Sequence, residues 1–237
     1  MVETVAIVTL VYREPNVIQT VRAWKREMPD IPIFIFADGC DDQTLASLEY
    51  LYLCGDIHYG TVPSRARKGY PKAAREAIIW MRNKTDFDWI LFTDSDGCYS
   101  PESIRNVIET GLRENMSISG YRPNRRETWF RMFYIKMESK IMRILFGMKM
   151  KDFTAVCRMM KTDVAAMVAS QTKYSKYGYW MEWDAVWHSS FDDPKEIPTI
   201  YTPQPSKIYA LRKMPKILWT EFWAIIKTRL RLWNLLG

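Results

Sequence analysis

Apolar runs and helically spaced segments alternate along the first half of the chain. Val5 to Val11 is an unbroken apolar and β-branched run, and Tyr12-Arg13-Glu14-Pro15-Asn16 then turns the chain into Val17 to Met28, where apolar positions recur at helical spacing. Ile31 to Ala37 predicts a second strand that ends in the acidic loop Asp38-Gly39-Cys40-Asp41-Asp42, with a helix over Gln43 to Leu53 behind it. Ile57-His58-Tyr59 reads as a short third strand, and Pro71 to Arg82 as a helix with proline in its first turn. The run Trp89-Ile90-Leu91-Phe92-Thr93 predicts a buried strand, followed directly by Asp94-Ser95-Asp96-Gly97. Ser100-Pro101-Glu102 opens the next helix, and Ser117 to Tyr121 is a further strand. Strands alternating with helices of this length predict an α/β fold with a Rossmann-like, mostly parallel central sheet.

Parallel strands deliver their C-terminal ends to one edge, and open α/β sheets place their ligands there. Three strand-end loops carry polar chemistry: Tyr12 to Glu14, Asp38 to Asp42, and Asp94 to Asp96. Two aspartates one residue apart supply hard oxygen ligands for Mg²⁺ or Mn²⁺, ions that usually complete their shell with water and substrate phosphate. Asp94 and Asp96 are therefore candidate metal ligands and a nucleoside diphosphate the candidate partner, although the same string is also an ordinary turn after a strand. Asp41 and Asp42 sit where a helix N-cap belongs, whereas Asp38 and Glu14 lie at strand ends, where a carboxylate can accept hydrogen bonds from a nucleobase or ribose. No G-x-G-x-x-G follows the first strand, which disfavours a dinucleotide-binding enzyme. The Gly-rich first loop of a sugar-nucleotide pyrophosphorylase is missing as well.

Composition narrows the class further. With 237 residues, 48% hydrophobic and 26% charged, the chain has the make-up of one large globular domain without low-complexity segments. Cys40, Cys54, Cys98 and Cys157 are widely spaced, with only His58 and His188 to join them, so neither a zinc cluster nor a disulfide framework is indicated. That usage, and an N-terminus without a basic start and apolar core, leads us to expect a cytoplasmic protein. Most of the net charge of +7 lies after Ser206, where seven basic residues face Glu221 alone. An excess confined to a terminal segment points to a surface-directed tail and away from a nucleic-acid groove.

Several blocks, in order, resemble a family 2 glycosyltransferase of the GT-A, nucleotide-diphospho-sugar transferase fold. Val11-Tyr12-Arg13-Glu14 is similar to the first-strand P-x-Y-N-E element, and Ala37-Asp38-Gly39-Cys40-Asp41-Asp42 to the D-D-G-S-x-D loop. Thr93 to Pro101 matches the metal-binding D-x-D-x-x-x-x-P block, Gly120-Tyr121-Arg122 resembles G-S-R, and Lys151 to Arg158 resembles D-x-T-S-G-F-R. Within the family the likeness is to polyprenyl-phosphate sugar synthases of the dolichol-phosphate mannose type, whose helical hairpin with R…L-x-G resembles Arg131 to Gly147. Two positions and one segment depart from the pattern: Ala37 replaces the first aspartate of its loop, Arg13 replaces asparagine, and Arg65 to Lys72 only loosely follows the N-x-G-K-G-x-A turn.

The resemblance implies that Asp94 and Asp96 hold Mn²⁺ or Mg²⁺, with Ser95 between them on the donor side. It further implies that Tyr12, Glu14 and Asp38 cradle the nucleoside of a UDP- or GDP-hexose, and that one or more of Arg122, Arg158 and Lys207 meet phosphate. It places Glu182 and Asp184 on the acceptor side, ahead of a helix, where a sugar hydroxyl would need one of them as general base and a lipid phosphate would not. From Pro215 on, Trp219, Phe222, Trp223, Ile226, Leu230 and Trp233 fall at helical spacing among Lys216, Lys227, Arg229 and Arg231, the signature of a helix in a membrane interface. Charges at Glu221 and Lys227 keep it from spanning. Trp129 to Met150 has a similar character. Residues 1–205 are thus expected to form the catalytic domain and 206–237 a basic amphipathic tail, at the cytoplasmic face of a membrane and open to a membrane-protein partner. The expected reaction is inverting, metal-dependent transfer of a hexose to a polyprenyl (dolichyl) phosphate. The rival readings are transfer to a glycan hydroxyl and a non-catalytic membrane scaffold of the same fold.

Overall fold

In the computed structural model, residues 3–61, 65–123, 125, 129–203 and 214–236 are described. The first half runs β1 (Val5–Val11), α1 (Val17–Glu27), β2 (Ile33–Ala37), α2 (Asp42–Leu53), β3 (His58–Tyr59), α3 (Tyr70–Lys84) and β4 (Trp89–Asp94). There follow α4 (Pro101–Glu114), β5 (Ile118–Tyr121), α5 (Trp129–Phe146), β6 (Arg158–Lys161), α6 (Thr162–Gln171), α7 (Tyr179–His188), β7 (Lys195–Pro198) and α8 (Met214–Leu236). The seven strands form one sheet in the order β3-β2-β1-β4-β6-β5-β7. Among the described residues only β6 runs against its neighbours, antiparallel to both β4 and β5. The sheet is therefore mostly parallel, as the alternation of elements predicts.

Burial explains the continuous apolar runs. In β1 and β4, at the centre, Ile7, Val8, Ile90 and Leu91 are all fully buried, because helices cover both faces and neither face needs polar positions. The helices start where the sequence supplies caps. The Ser100 hydroxyl accepts from the Ser103 N–H at the head of α4, which begins with Pro101, and the Asp41 carboxylate accepts from the Thr44 N–H at the head of α2.

Reversal of β6 brings its first residue to the edge where the others end, since Phe92 pairs with Arg158 across β4 and β6. That edge collects the ends of β1, β2, β4 and β5, together with the 152–157 segment that leads into β6.

Two expectations change in the second half, and α8 adds a further observation. Residues 129–146 form one continuous helix where a hairpin was expected, because no turn residue interrupts them before Gly147, at φ +73°. Glu182 and Asp184 lie inside α7 and not ahead of it. The C-terminal segment is bonded to the domain: α8 buries Ile217, Ala224, Ile225 and Leu232, and its Ile225 joins a cluster with Met142, Phe153 and Met181 from α5, the β6 approach and α7.

Candidate active site

At the end of β4 the chain makes a tight turn through Asp94, Ser95, Asp96 and Gly97. Gly97 has φ +71°, a left-handed conformation that suits glycine, and the Cys98 N–H donates to Asp96 Oδ1 at 3.1 Å, which fixes that carboxylate. Ser95 and Asp96 are buried and Asp94 is half-buried. The groups around Asp94 stay protonated. Burial, reinforced by the Asp94 charge, pushes the Cys157 thiol up to about 12 and raises the Tyr70 hydroxyl well above its usual range. Among the described residues no group of three or more carboxylates, histidines or cysteines gathers to form a metal cage. Two hard oxygen donors at a sheet edge nevertheless fit Mg²⁺ or Mn²⁺, which bind through one or two carboxylates and leave the remaining positions to water and phosphate.

On the β1–β2 side, Tyr12 lies under two guanidiniums, with the Arg67 carbon 4.1 Å and the Arg13 carbon 5.4 Å from its ring centroid. The backbone N–H groups of Lys68 and Gly69 donate to the buried Asp38 carboxylate. Asp38 thereby ties the end of β2 to the head of α3. Gly39, at φ +81°, is required here for a second reason: a Cβ would come within 2.8 Å of the Arg67 Cβ. Glu14 is buried at the head of α1, where its Oε1 accepts weakly from the Asn16 N–H at 3.4 Å.

The β5–β6 side is built on arginine–carboxylate pairs. Arg122 donates from Nε and Nη2 to the two oxygens of Asp152 at 2.7 and 2.9 Å, and also to the Thr154 hydroxyl. Arg125 donates to Thr154 as well and lies 3.8 Å from Asp152. Burial alone would raise the Asp152 carboxyl, but these arginines hold it at about 2. Arg122 further stacks on Tyr201, and Tyr201 packs edge-on against Tyr99 just behind the Asp94 turn. Arg158 donates to Asp184 from Nη1 and Nη2 and lies over the Trp180 ring.

These pairings revise several expectations. Tyr12, Glu14, Asp38, Asp94, Ser95, Asp96 and Arg122 do assemble along one edge. Arg158 is one of three residues that the resemblance offers to phosphate; its side chain is 2% exposed and is paired with Asp184, itself 1% exposed. Asp184 is thus the buried counter-ion of Arg158. Glu182 is equally committed, since its carboxylate accepts from the N–H groups of Lys173, Tyr174 and Ser175 and from the Thr228 hydroxyl of α8. Lys207 lies outside the described residues. Asp152 and Arg125 were missed by the reading of single side chains. The D-x-T block covers Asp152, whereas Arg125 stands in a basic run that gives no sign of a buried partner.

A mostly parallel sheet, a D-x-D turn at the end of its central strand and polar loops along one edge together define a nucleotide-sugar transferase of the GT-A type. The profile of glycosyl transferase family 2 matches residues 4–167, and the chain belongs to that family; it is a glycosyltransferase. Solved structures of glucosyl-3-phosphoglycerate synthase from Mycobacterium tuberculosis share the fold. The complex with uridine diphosphate has a TM-score of 0.66 at 11% identity, over 96% of this chain and 80% of that one. The complex with Mn²⁺, uridine diphosphate and phosphoglyceric acid has a TM-score of 0.68 at 10% identity, over 96% of this chain and 78% of that one. A third, holding Mn²⁺, UDP-glucose and phosphoglyceric acid, scores 0.65 at 11% identity, with 96% and 80% covered. No curated protein matches the chain by sequence.

Proposed function

We propose that this enzyme transfers a hexose, with inversion, from a nucleoside diphosphate sugar to a polyprenyl phosphate at a membrane surface, with Mn²⁺ or Mg²⁺ held by Asp94 and Asp96. When bound there, the cation supplies charge neutralisation to the departing diphosphate without proton transfer. Tyr12 and Glu14 line the nucleoside side of the same edge. Arg122, fixed by Asp152, is the guanidinium poised beside the Asp94 turn through its stack on Tyr201. The Mn²⁺ and UDP-glucose seen in the mycobacterial synthase support the donor class.

The observation that carries the acceptor is the outer face of α8. Trp219 is 65% exposed and Trp233 63%, with Trp223 and Leu230 also outward and the exposed Lys216 and Lys227 among them. Such a face suits a lipid–water interface, with aromatics at headgroup level and cations toward anionic lipid. No helix among the described residues is long and apolar enough to cross a membrane. Commitment of Glu182 and Asp184 to structural partners also favours a phosphate acceptor, whose oxygen is already anionic, over a hydroxyl that needs a base.

The test is transfer from UDP- and GDP-hexoses to a short-chain polyprenyl phosphate in detergent, with Mn²⁺ or Mg²⁺. Wild-type protein should form a lipid-linked sugar, and Asp96→Ala should lose about 10²–10³-fold in kcat while keeping its thermal midpoint. Full activity in that variant, or transfer to soluble sugars alone, overturns the reading.

A further inference from the structure

An open cleft of about 580 Å³ lies between the turn after α6 and the last turns of α8, lined by Lys173, Tyr174, Lys227, Leu230, Arg231 and Asn234. Three of its six lining residues are cations and none is an acid. Among the described residues, none of these three cations is in an ion pair. The nearest acid by bonding is Glu182, which lies buried beneath the turn and has its oxygens taken by the N–H groups of Lys173 to Ser175 and by Thr228. Like charges gather here without a protein anion in the cleft.

Arg231 is the fixed element of the three. It belongs by sequence to the basic face of the tail, yet it turns inward: Nη1 donates to the Gln171 carbonyl, and the guanidinium carbon lies 5.6 Å from the Tyr174 ring centroid. Its Nε and Nη2 are buried with no acceptor among the described residues. Buried charged donors without acceptors are unfavourable, and a small turn of the guanidinium toward the cleft would offer them to an anion with several oxygens. Phosphate meets the requirement, because its oxygens match the planar fork of arginine while the two flexible lysines follow as point charges.

The surroundings say where that phosphate comes from. Leu230, 57% exposed, forms one wall of the cleft, and the outward Trp233 follows on the same helix. A phosphate bound against an apolar rim on an interfacial helix is the arrangement of a lipid headgroup. We propose that Lys173, Lys227 and Arg231 form a binding site for the phosphate of an anionic lipid headgroup, a site that fixes how α8 settles on a membrane. The inference rests on the membrane-facing role of α8 but not on the identity of the sugar acceptor.

The test is partition of the full chain onto phosphatidylcholine vesicles with and without phosphatidylglycerol, for wild type, Lys173→Gln/Lys227→Gln, Arg231→Lys and the exposed control Lys84→Gln. The double variant should bind anionic vesicles about 10- to 30-fold more weakly, with binding to neutral vesicles unchanged. Arg231→Lys, which keeps the charge and loses the fork, should weaken anionic binding in the same direction, and Lys84→Gln should not. Inorganic phosphate should compete for wild type and not for the double variant. Equal binding by wild type and double variant, or an equal loss in the Lys84 control, overturns the site. Saturation by inorganic phosphate without any vesicle binding overturns the lipid source. Transfer to a short acceptor in detergent is measured alongside, so that an inactive enzyme with intact vesicle binding refutes the proposed reaction and leaves the headgroup site standing.

Discussion

Replacing Glu182 by Gln separates a catalytic base from a structural anchor. Its carboxylate accepts from Lys173 N at 2.7 Å, from Tyr174 N at 3.1 and 3.0 Å, from Ser175 N at 2.7 Å and from Thr228 Oγ1 at 3.3 Å. Every one of these partners is a donor. A glutamine keeps one acceptor oxygen and must aim its NH₂ at the remaining N–H groups, so it loses charge-assisted bonds worth about 1.5–3 kcal/mol each and leaves one or two buried donors unmet. The sum is a destabilisation of about 3–5 kcal/mol, a large part of the 5–15 kcal/mol that typically separates folded from unfolded domains. For a chain of this size that lowers the thermal midpoint by roughly 6–20 °C. Circular dichroism melts give the midpoint, and steady-state kinetics well below both transitions give turnover per folded molecule. The structure predicts a large fall in midpoint with kcat nearly unchanged. A midpoint held within about 2 °C alongside a loss of 10² or more in kcat would refute the anchor and restore Glu182 as the base.

Two further variants test the buried carboxylates through pH, with opposite signs. Burial, aided by the Glu221 charge and offset in part by Tyr134 and Arg125, raises Glu138 to about 8, so the fold loses stability as pH rises from about 4.5 to 8. Glu138→Gln should therefore leave the urea midpoint unchanged near pH 4.5 and raise it by a shift worth on the order of a few kcal/mol above pH 8; equal midpoints at both pH values would contradict the assignment. Asp152, held at about 2 from a usual 3.8, contributes stability that is present above 3.8 and lost as pH falls toward 2. Asp152→Asn should cost about 3–5 kcal/mol at pH 7, because it leaves buried guanidinium charge uncompensated, and should flatten the acid limb of the stability profile; a variant as stable as wild type at neutral pH would show that the pair with Arg122 contributes nothing.

The first half of the fold was legible because its strands are covered on both faces and write themselves as continuous runs, each followed by a helix with its own cap. That logic failed after Tyr121. Strand β6 is four residues, Arg158-Met-Met-Lys161, with no β-branched member and an orientation set by its neighbours β4 and β5. The Asp94–Asp96 turn could be read from its neighbours in sequence. The roles of Arg158, Asp184 and Glu182 could not, because each is decided by a partner 7 to 46 residues away. A carboxylate in sequence is only a charge, and whether it serves chemistry or a loop's unpaired N–H groups depends on which turn is folded against it. Arg125 is hidden in the sequence for the same reason, since its side chain is buried only once Asp152 and Thr154 are brought against it.

The polar residues of α8 carry the same lesson to the surface of the molecule. Glu221 and Thr228 look like interruptions in an apolar helix, yet both point inward, Glu221 accepting from the N–H groups of Lys176 and Tyr177 and from the Ser175 hydroxyl, Thr228 donating to Glu182. Together Glu182 of α7 and Glu221 of α8 hold the whole 173–177 turn, which links α6 to α7. These bonds fix the rotation of α8 about its own axis, since a stripe at Ile217, Glu221, Ala224, Thr228 and Leu232 can face inward in only one setting. The outward stripe, with Trp219, Trp223, Leu230 and Trp233, is then fixed as well. On the proposed docking of α8 at a membrane, the surface that receives its aromatics also sets the angle of the body to which α8 is bonded, and with it the edge that carries Asp94 and Asp96. Loosening the turn should therefore reduce transfer to a membrane-embedded acceptor more than transfer to the same acceptor in detergent, because only the first depends on orientation.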